Sequence, residues 1–217
     1  MSRERVNGVA GKLAAAAAAV AKIPPGAFLA LGTGSTMEAA LPMLARIPGL
    51  RATPTSEVIA DRASSAGINL IPLQGEYDYY LDGADQVAPN GDVIKGSWGA
   101  HVREKTLAAL SRRRVLICDE GKLGDSLIGP VPVAVIPFFA GLYSTTPAPV
   151  IDDNGLAIVR IAAGDIIGSA EDWDRKMCQQ PGIVSTGLFP ADFIHEIVVG
   201  HEDGSHHLMT AASKEVR

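Results

Sequence analysis

Short apolar runs alternate with helix-like segments along the N-terminal part of the chain, and this alternation restricts the fold more than any other sequence feature. The run AFLAL (27–31) ends in GTGST and precedes MEAALPMLARI, which has helical spacing. ATPTS (52–56) leads into EVIADRASSAG in the same way, and INLIPL (68–73), YDYYLDGAD (77–85) and VLICD (115–119) have the composition of strands. Because strands separated by helices usually pair in parallel, the sequence predicts an α/β fold with a doubly wound, mostly parallel sheet.

The pattern of elements changes beyond Gly129. VPVAVIP and LAIVRI are typical of strands, AEDWDRKMCQQ of a helix, and IHEIVVG of a strand followed by a hairpin with EDGS as its turn. The stretch FFAGLYSTTPAPVIDDNG has little periodicity and is interpreted as a connection or a lid segment. We therefore predict a Rossmann-like catalytic domain formed by residues 1–129 and 203–217, and a second, smaller α+β domain, 130–202, that serves as a lid or in oligomerisation.

Charge and cysteine usage restrict the partners and the location. The formal net charge is −5, so the chain lacks the positive field that attracts nucleic acid or an anionic membrane. No run approaches the roughly 18 apolar residues that span a bilayer. Cys118 and Cys178 lie in apolar or helical segments, which suits buried free thiols and a cytoplasmic protein. The histidines lack partners at ligand spacing, so we expect no metal.

A glycine- and hydroxyl-rich loop, LGTGST (31–36), stands where the first strand meets a helix. Its backbone N–H groups and hydroxyls could bind an anion, or the loop could be a tight turn with an N-cap. It matches neither the dinucleotide pattern nor the Walker loop, which favours a small phosphorylated ligand. Ser56 should emerge at the same sheet edge, although helix capping alone would explain it.

Two carboxylates follow the tyrosine-rich strand. Asp82 and Asp85 could point into one small volume, or they could form an ordinary Asx turn. Lys95 follows soon after and could neutralise them. Glu104 lies about one turn into a helix predicted from Ala100 to about Arg114, where it is either a solvated charge or faces the pocket.

With these residues assembled, the sequence resembles the type A ribose-5-phosphate isomerases, which interconvert ribose 5-phosphate and ribulose 5-phosphate in the pentose phosphate pathway. The resemblance extends nearly end to end and includes GTGST, PTS, DGAD, CDEGK, PVAVIP, DDNG and PGIVSTGLF. KGSWGAHVREK (95–105) stands in place of the family's Lys-Gly-Gly-Gly-x-Ala-x-x-Arg-Glu-Lys. Each motif is short, but their order and spacing together are specific.

The resemblance implies a role for each candidate residue. Glu104 would move a proton between C1 and C2 of the opened sugar, and Lys95 with Asp82 and Asp85 would surround the sugar hydroxyls and stabilise the enediolate. It implies no metal or organic cofactor, a small sugar phosphate as the ligand, and a homodimer or homotetramer. The residues expected to bind substrate are Lys12, Thr33, Gly34, Ser35, Thr36, Ser56, Gly96, Ser97, Trp98, Gly99 and Lys122.

Three departures from the family pattern leave alternatives open. Ser97 and Trp98 replace two glycines, so the indole either points away from the pocket or reshapes it. Gln86 stands where the family usually has an acid, and the segment between Pro137 and Asp152 is shorter than usual. The alternatives to a ribose-5-phosphate isomerase are an isomerase for another sugar phosphate and a non-catalytic sugar-phosphate sensor.

Overall fold

The computed structural model describes residues 8–143, 149–162 and 169–210. The helices are α1 (Val9–Val20), α2 (Ser35–Leu44), α3 (Glu57–Ser65), α4 (His101–Ala109) and α5 (Ala170–Cys178). The strands are β1 (Phe28–Leu31), β2 (Arg51–Pro54), β3 (Asn69–Leu70), β4 (Tyr77–Gly83), β5 (Gln86–Val87), β6 (Val93–Ile94), β7 (Ser111–Asp119), β8 (Val131–Val135), β9 (Val150–Ile151), β10 (Ala157–Ile161), β11 (Ile183–Thr186), β12 (Leu188–Phe189), β13 (Glu196–Gly200) and β14 (His206–Met209).

A seven-stranded sheet in the order β14-β13-β7-β4-β1-β2-β3 forms the centre of the molecule. Every neighbouring pair in it is parallel except β13 and β14, which form the terminal hairpin. The strand order reverses between β1 and β4, because the chain proceeds from β1 toward β3 and later from β4 toward β13. The predicted fold class, α/β with a mostly parallel sheet, is confirmed.

Each face of the main sheet is apolar and is covered by different elements. Leu29, Leu31 and Leu81 face a core formed with α1, α2 and α3. The alternate residues Ala30 and Tyr80 face the opposite core, which includes Leu107 and Ala108 of α4. Successive strand residues point to opposite faces, so a sheet covered on both faces needs apolar side chains at nearly every strand position.

Two antiparallel sheets accompany the main one. β11-β8-β10-β9 form a four-stranded sheet whose apolar side packs around Trp173 of α5, and β12-β6-β5 form a three-stranded sheet. The predicted boundary at residue 202 placed β13 in the smaller unit, but β13 pairs with β7 and therefore belongs to the main sheet. The division into two domains otherwise stays a prediction.

The helix predicted from Ala100 to Arg114 was wrong at its C-terminal end. The helix ends at Ala109, and β7 begins at Ser111 by pairing with Tyr77 of β4. Arg112 and Arg113 lie at the start of β7 and are exposed to solvent, so the strand accommodates their charges. Arg112 also forms an ion pair with the exposed Glu76. Tertiary strand pairing overrode a local pattern that also suited a helix.

The thiols and the helices can be compared with the expectations from the sequence. Both cysteines are free, with Cys118 buried as expected and Cys178 exposed, contrary to expectation. None of the helices within the described ranges has the length and apolar character needed to cross a bilayer.

Candidate active site

The candidate residues gather at the carboxyl edge of the main sheet, around the point where the strand order reverses. The loop Gly32–Gly34 follows β1, and Ala84 and Asp85 follow β4, so these two loops flank the reversal point between neighbouring strands. Open α/β sheets bind ligands in the crevice at this point. The topology therefore brings the glycine-rich loop and the DGAD turn to one place.

Hydroxyl groups line the crevice beside the glycine-rich loop. The Thr33 hydroxyl lies 2.8 Å from the hydroxyls of both Thr55 and Ser56. Ser56 caps α3 as predicted, accepting a hydrogen bond from the Ile59 N–H. On the other side of the loop, the Lys12 ammonium donates to the Ser35 hydroxyl at 3.1 Å. Lys12, although distant in sequence, thus adds a positive charge to the loop.

The backbone of the loop is shaped by two glycines. Gly34 has a φ of 138° just before α2, a conformation that other residues rarely adopt. A Cβ at Gly32 would lie 1.9 Å from Cγ of Asp82, so only glycine fits there. Thr36, in the first turn of α2, is buried. The N-terminus of α2, whose first N–H groups have no intrahelical partner, follows directly on this loop.

A buried cluster of one lysine and two carboxylates lies beneath the crevice. The Lys95 ammonium is 2.7 Å from Oδ2 of Asp82 and also contacts Oε2 of Glu104. The exposed fractions of Lys95, Asp82 and Glu104 are 2%, 0% and 1%. The Tyr80 hydroxyl donates to the same Oδ2 of Asp82. Three ionisable side chains are thus held together out of water, an arrangement common at catalytic sites.

With all three groups ionised, the cluster would carry one more negative charge than positive, and burial together with this excess perturbs its protonation. Burial and the charge of Asp82 raise the pKa of Glu104 to about 8, against the opposing effect of Lys95. Burial would lower the pKa of Lys95, but Asp82 and Glu104 outweigh it and raise that pKa. Lys95 therefore stays charged, while Glu104 can take up and release a proton near neutral pH.

The turn Gly96–Gly99 closes one side of the cluster. The Gly99 N–H donates to the Gly96 carbonyl, and both glycines have positive φ, at 85° and 87°. Ser97 is anchored twice, its N–H donating to Asp85 at 3.1 Å and its carbonyl accepting from Arg160 at 3.0 Å. These contacts leave Trp98 outermost, and its exposed fraction is 76%.

Trp98 lies on the rim of a cleft of about 130 Å³ above the turn. Thr33, Gly34 and Ser56 line the same cleft, so the indole shares it with the glycine-rich loop. Glu104 is not among the lining residues; the nearest lining residue in sequence is Arg103. The cleft thus reaches the glycine-rich loop, while Lys95, Asp82 and Glu104 are closed to solvent.

The tip of the β9–β10 hairpin forms the far wall of the cleft. The Asp153 carboxylate accepts a hydrogen bond from the Glu57 N–H at 2.9 Å, at the start of α3. Arg103 donates to the Asn154 side chain at 2.8 Å and to the Asp153 carbonyl at 3.0 Å. The DDNG segment therefore bridges the smaller sheet to α3 and α4, next to the position of Glu104.

The structure also shows the positions of Gln86 and Lys122, which the sequence could not decide. The Gln86 carboxamide oxygen accepts hydrogen bonds from the N–H groups of Ile128 and Gly129, both at 2.9 Å, so it fastens a loop. Lys122 ends a short 3-10 helix after β7, at the same sheet edge but outside the lining of the cleft. In the described part of the chain, no group of three His, Cys, Asp or Glu side chains could hold a metal ion.

From the sequence, Tyr80, Arg103 and Asp153 were not identified as part of the site, and Gly32 was included only as a member of the loop LGTGST. Tyr80 could have been found from strand alternation, since it lies two residues before Asp82 and faces the same side. The contacts of Arg103 and Asp153 join elements that are far apart in the chain, and no local pattern indicates them.

The fold and the site together define an α/β protein of the enzyme class, with a buried cluster of ionisable side chains beside a glycine- and hydroxyl-rich loop. A family model described as ribose 5-phosphate isomerase A (phosphoriboisomerase A) matches residues 51–146. The ribose-5-phosphate isomerase A of Natronomonas pharaonis is 37% identical over 216 residues, covering 90% of this chain and 92% of the relative. That of Haloquadratum walsbyi is 33% identical over 210 residues, covering 87% and 88%.

Solved structures give the same result. A ribose 5-phosphate isomerase A from Methanocaldococcus jannaschii superposes with a TM-score of 0.83 at 27% identity, covering 92% of this chain and 97% of that one. A D-ribose-5-phosphate isomerase in complex with phospho-erythronic acid has a TM-score of 0.84 at 27% identity, covering 95% and 100%. The chain belongs to the ribose-5-phosphate isomerase A family, and it is an isomerase of the aldose–ketose type.

Proposed function

We propose that the enzyme interconverts ribose 5-phosphate and ribulose 5-phosphate in the pentose phosphate pathway, through an enediolate, with Glu104 as the base. The observation that carries this proposal is the Lys95 ammonium held between two buried carboxylates, one of which, Asp82, adjoins Gly32 of the glycine-rich loop. The names of the relatives support the substrate. The complex of one relative with phospho-erythronic acid also supports it, because a carboxylate is planar and anionic like an enediolate.

Glu104 has the properties that the proton transfer needs. The ionised carboxylate removes the proton from C2 of the open-chain aldose, and the C–H electron pair becomes the C1–C2 double bond as the C1 carbonyl oxygen takes the negative charge. The carboxyl group then returns the proton to C1, while the O2 hydroxyl gives up its proton to O1 and becomes the ketone. A pKa near the working pH suits a group that acts as base and then as acid.

Lys95 and the two aspartates would interact with the oxygen atoms of the sugar. The Lys95 ammonium, fixed in place before the reaction, would stabilise the enediolate oxygen as its charge develops. Asp82 holds Lys95, and Asp85 holds the N–H of Ser97. In the proposed mechanism, both carboxylates would accept hydrogen bonds from sugar hydroxyls during ring opening.

The phosphate would bind at the glycine-rich loop. Thr33, Gly34, Ser35, Thr36 and Ser56 would provide N–H and hydroxyl donors, and Lys12 and Lys122 would provide charge. Anchoring the phosphate several atoms from the reacting carbons fixes the orientation of C1 and C2 relative to Glu104. Because Glu104 is 1% exposed, the sugar could reach it only if the residues that cover it moved aside.

Trp98 is compatible with this proposal. Its exposed position on the rim supports the interpretation that the indole points away from Lys95 and Glu104. Of the two alternatives considered from the sequence, a different sugar phosphate remains testable by comparing substrates. A binding-only protein is disfavoured because Lys95, Asp82 and Glu104 are held together in one buried cluster.

The test is conversion of ribose 5-phosphate in heavy water, with ketose formation and deuterium uptake at carbon followed together. Glu104→Gln should retain binding of phospho-erythronic acid and lose turnover by roughly 100-fold or more. The matched control is Glu76→Gln, because Glu76 is exposed and pairs with Arg112 rather than with the cluster. A near-normal rate in Glu104→Gln, or absence of turnover in the wild type, would refute the proposal.

We also propose that the enzyme is a cytoplasmic homodimer or homotetramer. The free thiols of Cys118 and Cys178 are compatible with a reducing compartment. Phe138 and Leu142 are 88% and 72% exposed, which favours contact with a further apolar surface. Sedimentation velocity measures the assembly, and a monomer at micromolar concentration would refute it.

A further inference from the structure

Tyr80 is the one uncharged side chain that donates a hydrogen bond directly to a carboxylate of the buried cluster, among the residues that the structure describes. Its hydroxyl donates to Oδ2 of Asp82, the same oxygen that contacts the Lys95 ammonium. The other carboxylate oxygen, Oδ1, accepts from the Gly83 N–H at 2.6 Å. Tyr80 and Asp82 are both buried. Both oxygens of the Asp82 carboxylate therefore accept hydrogen bonds from the protein, away from solvent.

The donor on Oδ2 determines how Asp82 interacts with its neighbours. A hydrogen bond from a neutral donor partly offsets the negative charge on the carboxylate oxygen that accepts it. Burial, followed by the charges of Asp82 and Glu104, raises the pKa of Tyr80 well above its ordinary value, so the hydroxyl stays protonated and can only donate to Asp82. Without this donor, Asp82 would attract the Lys95 ammonium more strongly and repel Glu104 more strongly.

We propose that Tyr80 is a positioning residue for the isomerisation: by donating to Oδ2 of Asp82 it fixes that carboxylate and keeps the Lys95 ammonium shared with Glu104. The inference rests on the proposed function and adds to it a residue that acts through Asp82, to which its hydroxyl donates. Its consequence is that Tyr80 lowers the pH at which Glu104 becomes a base.

The other charged groups around Glu104 do not replace this effect. Asp82 on β4, Asp85 in the following turn and Lys95 after β6 act on Glu104 directly. On α4 itself, burial and then the charges of Lys105 and Lys95 lower the pKa of His101 to about 4, so that His101 is neutral at working pH. Lys105 is paired with Asp174 at 2.8 Å.

The test compares Tyr80→Phe with a matched control, Tyr77→Phe. Both tyrosines lie on β4, are 1% exposed and belong to the same core, but the Tyr77 hydroxyl accepts from the Gln74 N–H and has no contact with the cluster. Each variant loses one buried hydroxyl. A merely structural effect should therefore appear in both.

The first readout is the titration of the Glu104 side-chain carboxyl, which carbon-13 NMR measures. The carbon-13 signal of Glu104 is assigned by its disappearance in Glu104→Gln. Tyr80→Phe should move the midpoint upward by about half to one pH unit, and Tyr77→Phe should leave it in place. The second readout is the rate with ribose 5-phosphate. For Tyr80→Phe, kcat should fall about tenfold at neutral pH with KM little changed, and part of the loss should be regained at higher pH.

Equal effects of the two variants on the midpoint, or no effect of Tyr80→Phe, would overturn the inference. If Tyr80→Phe does not fold, 3-fluorotyrosine at position 80 serves instead, because its more acidic hydroxyl is a stronger donor and should move the Glu104 midpoint downward; an unchanged midpoint would overturn the inference. The NMR titration needs no turnover, so it separates failure of this inference from failure of the proposed function.

Discussion

Replacing Glu104 by glutamine should stabilise the folded protein at alkaline pH, because the wild type holds a carboxyl group where its ionised form is disfavoured. The pKa of Glu104 rises from an ordinary value of 4.5 to about 8 on folding, through burial and the charge of Asp82. The favourable contribution of the protonated group is fully present below about pH 4.5, declines as the pH rises, and is lost once the pH passes about 8.

The size of the effect follows from that change in pKa. At about 1.36 kcal/mol for each pH unit, the full window corresponds to roughly 5 kcal/mol. Between about pH 5.5 and pH 9, the wild type should lose roughly 3 kcal/mol of unfolding free energy relative to Glu104→Gln, which has no proton to lose. The raised pKa of Lys95 acts only at more alkaline pH.

Urea unfolding of both proteins at the two pH values, followed by circular dichroism, measures this difference directly. Glu76→Gln is the control: Arg112 lowers the pKa of Glu76, so its contribution is already complete at about pH 5.5 and should not change toward pH 9. If the difference in unfolding free energy between wild type and Glu104→Gln is the same at the two pH values, the view that its surroundings keep Glu104 protonated near neutral pH is refuted.

Three further predictions concern the crevice and its walls. The exposed Trp98 should become covered when phospho-erythronic acid binds, so its fluorescence should shift to shorter wavelength. Trp98→Phe is the control, because it retains only the buried Trp173 and should show no shift. An unshifted wild-type spectrum at saturating ligand would contradict this prediction. Gly32→Ala should destabilise the fold by about 1–3 kcal/mol and reduce turnover, since its Cβ would collide with Asp82, as measured by urea unfolding and kcat. Asp153→Ala should raise KM more than it lowers kcat, because it removes the contact of the hairpin tip with α3 at the cleft; unchanged steady-state kinetics would argue against such a role.

Local patterns were sufficient for the fold class and for much of the site. Gly34 and Ser56 could be placed from short motifs, because a helix N-terminus needs a cap or a flexible residue whatever packs around it. Glu104 could be placed on a helix, but its burial could not be known from its charged neighbours. The end of that helix was misplaced because Ser111 pairs with Tyr77, a contact between distant residues.

The sequence by itself determined the alternation of strands and helices, the parallel sheet that follows from it, and the set of polar residues at strand ends. It did so because apolar periodicity and turn chemistry act over a few residues and depend little on the rest of the chain. Tertiary structure alone decided that Lys95 lies between Asp82 and Glu104, that Tyr80 donates to Asp82, and that Trp98 stays on the rim. These facts depend on burial and on the sum of charges around each group, and both are fixed only when distant segments pack together.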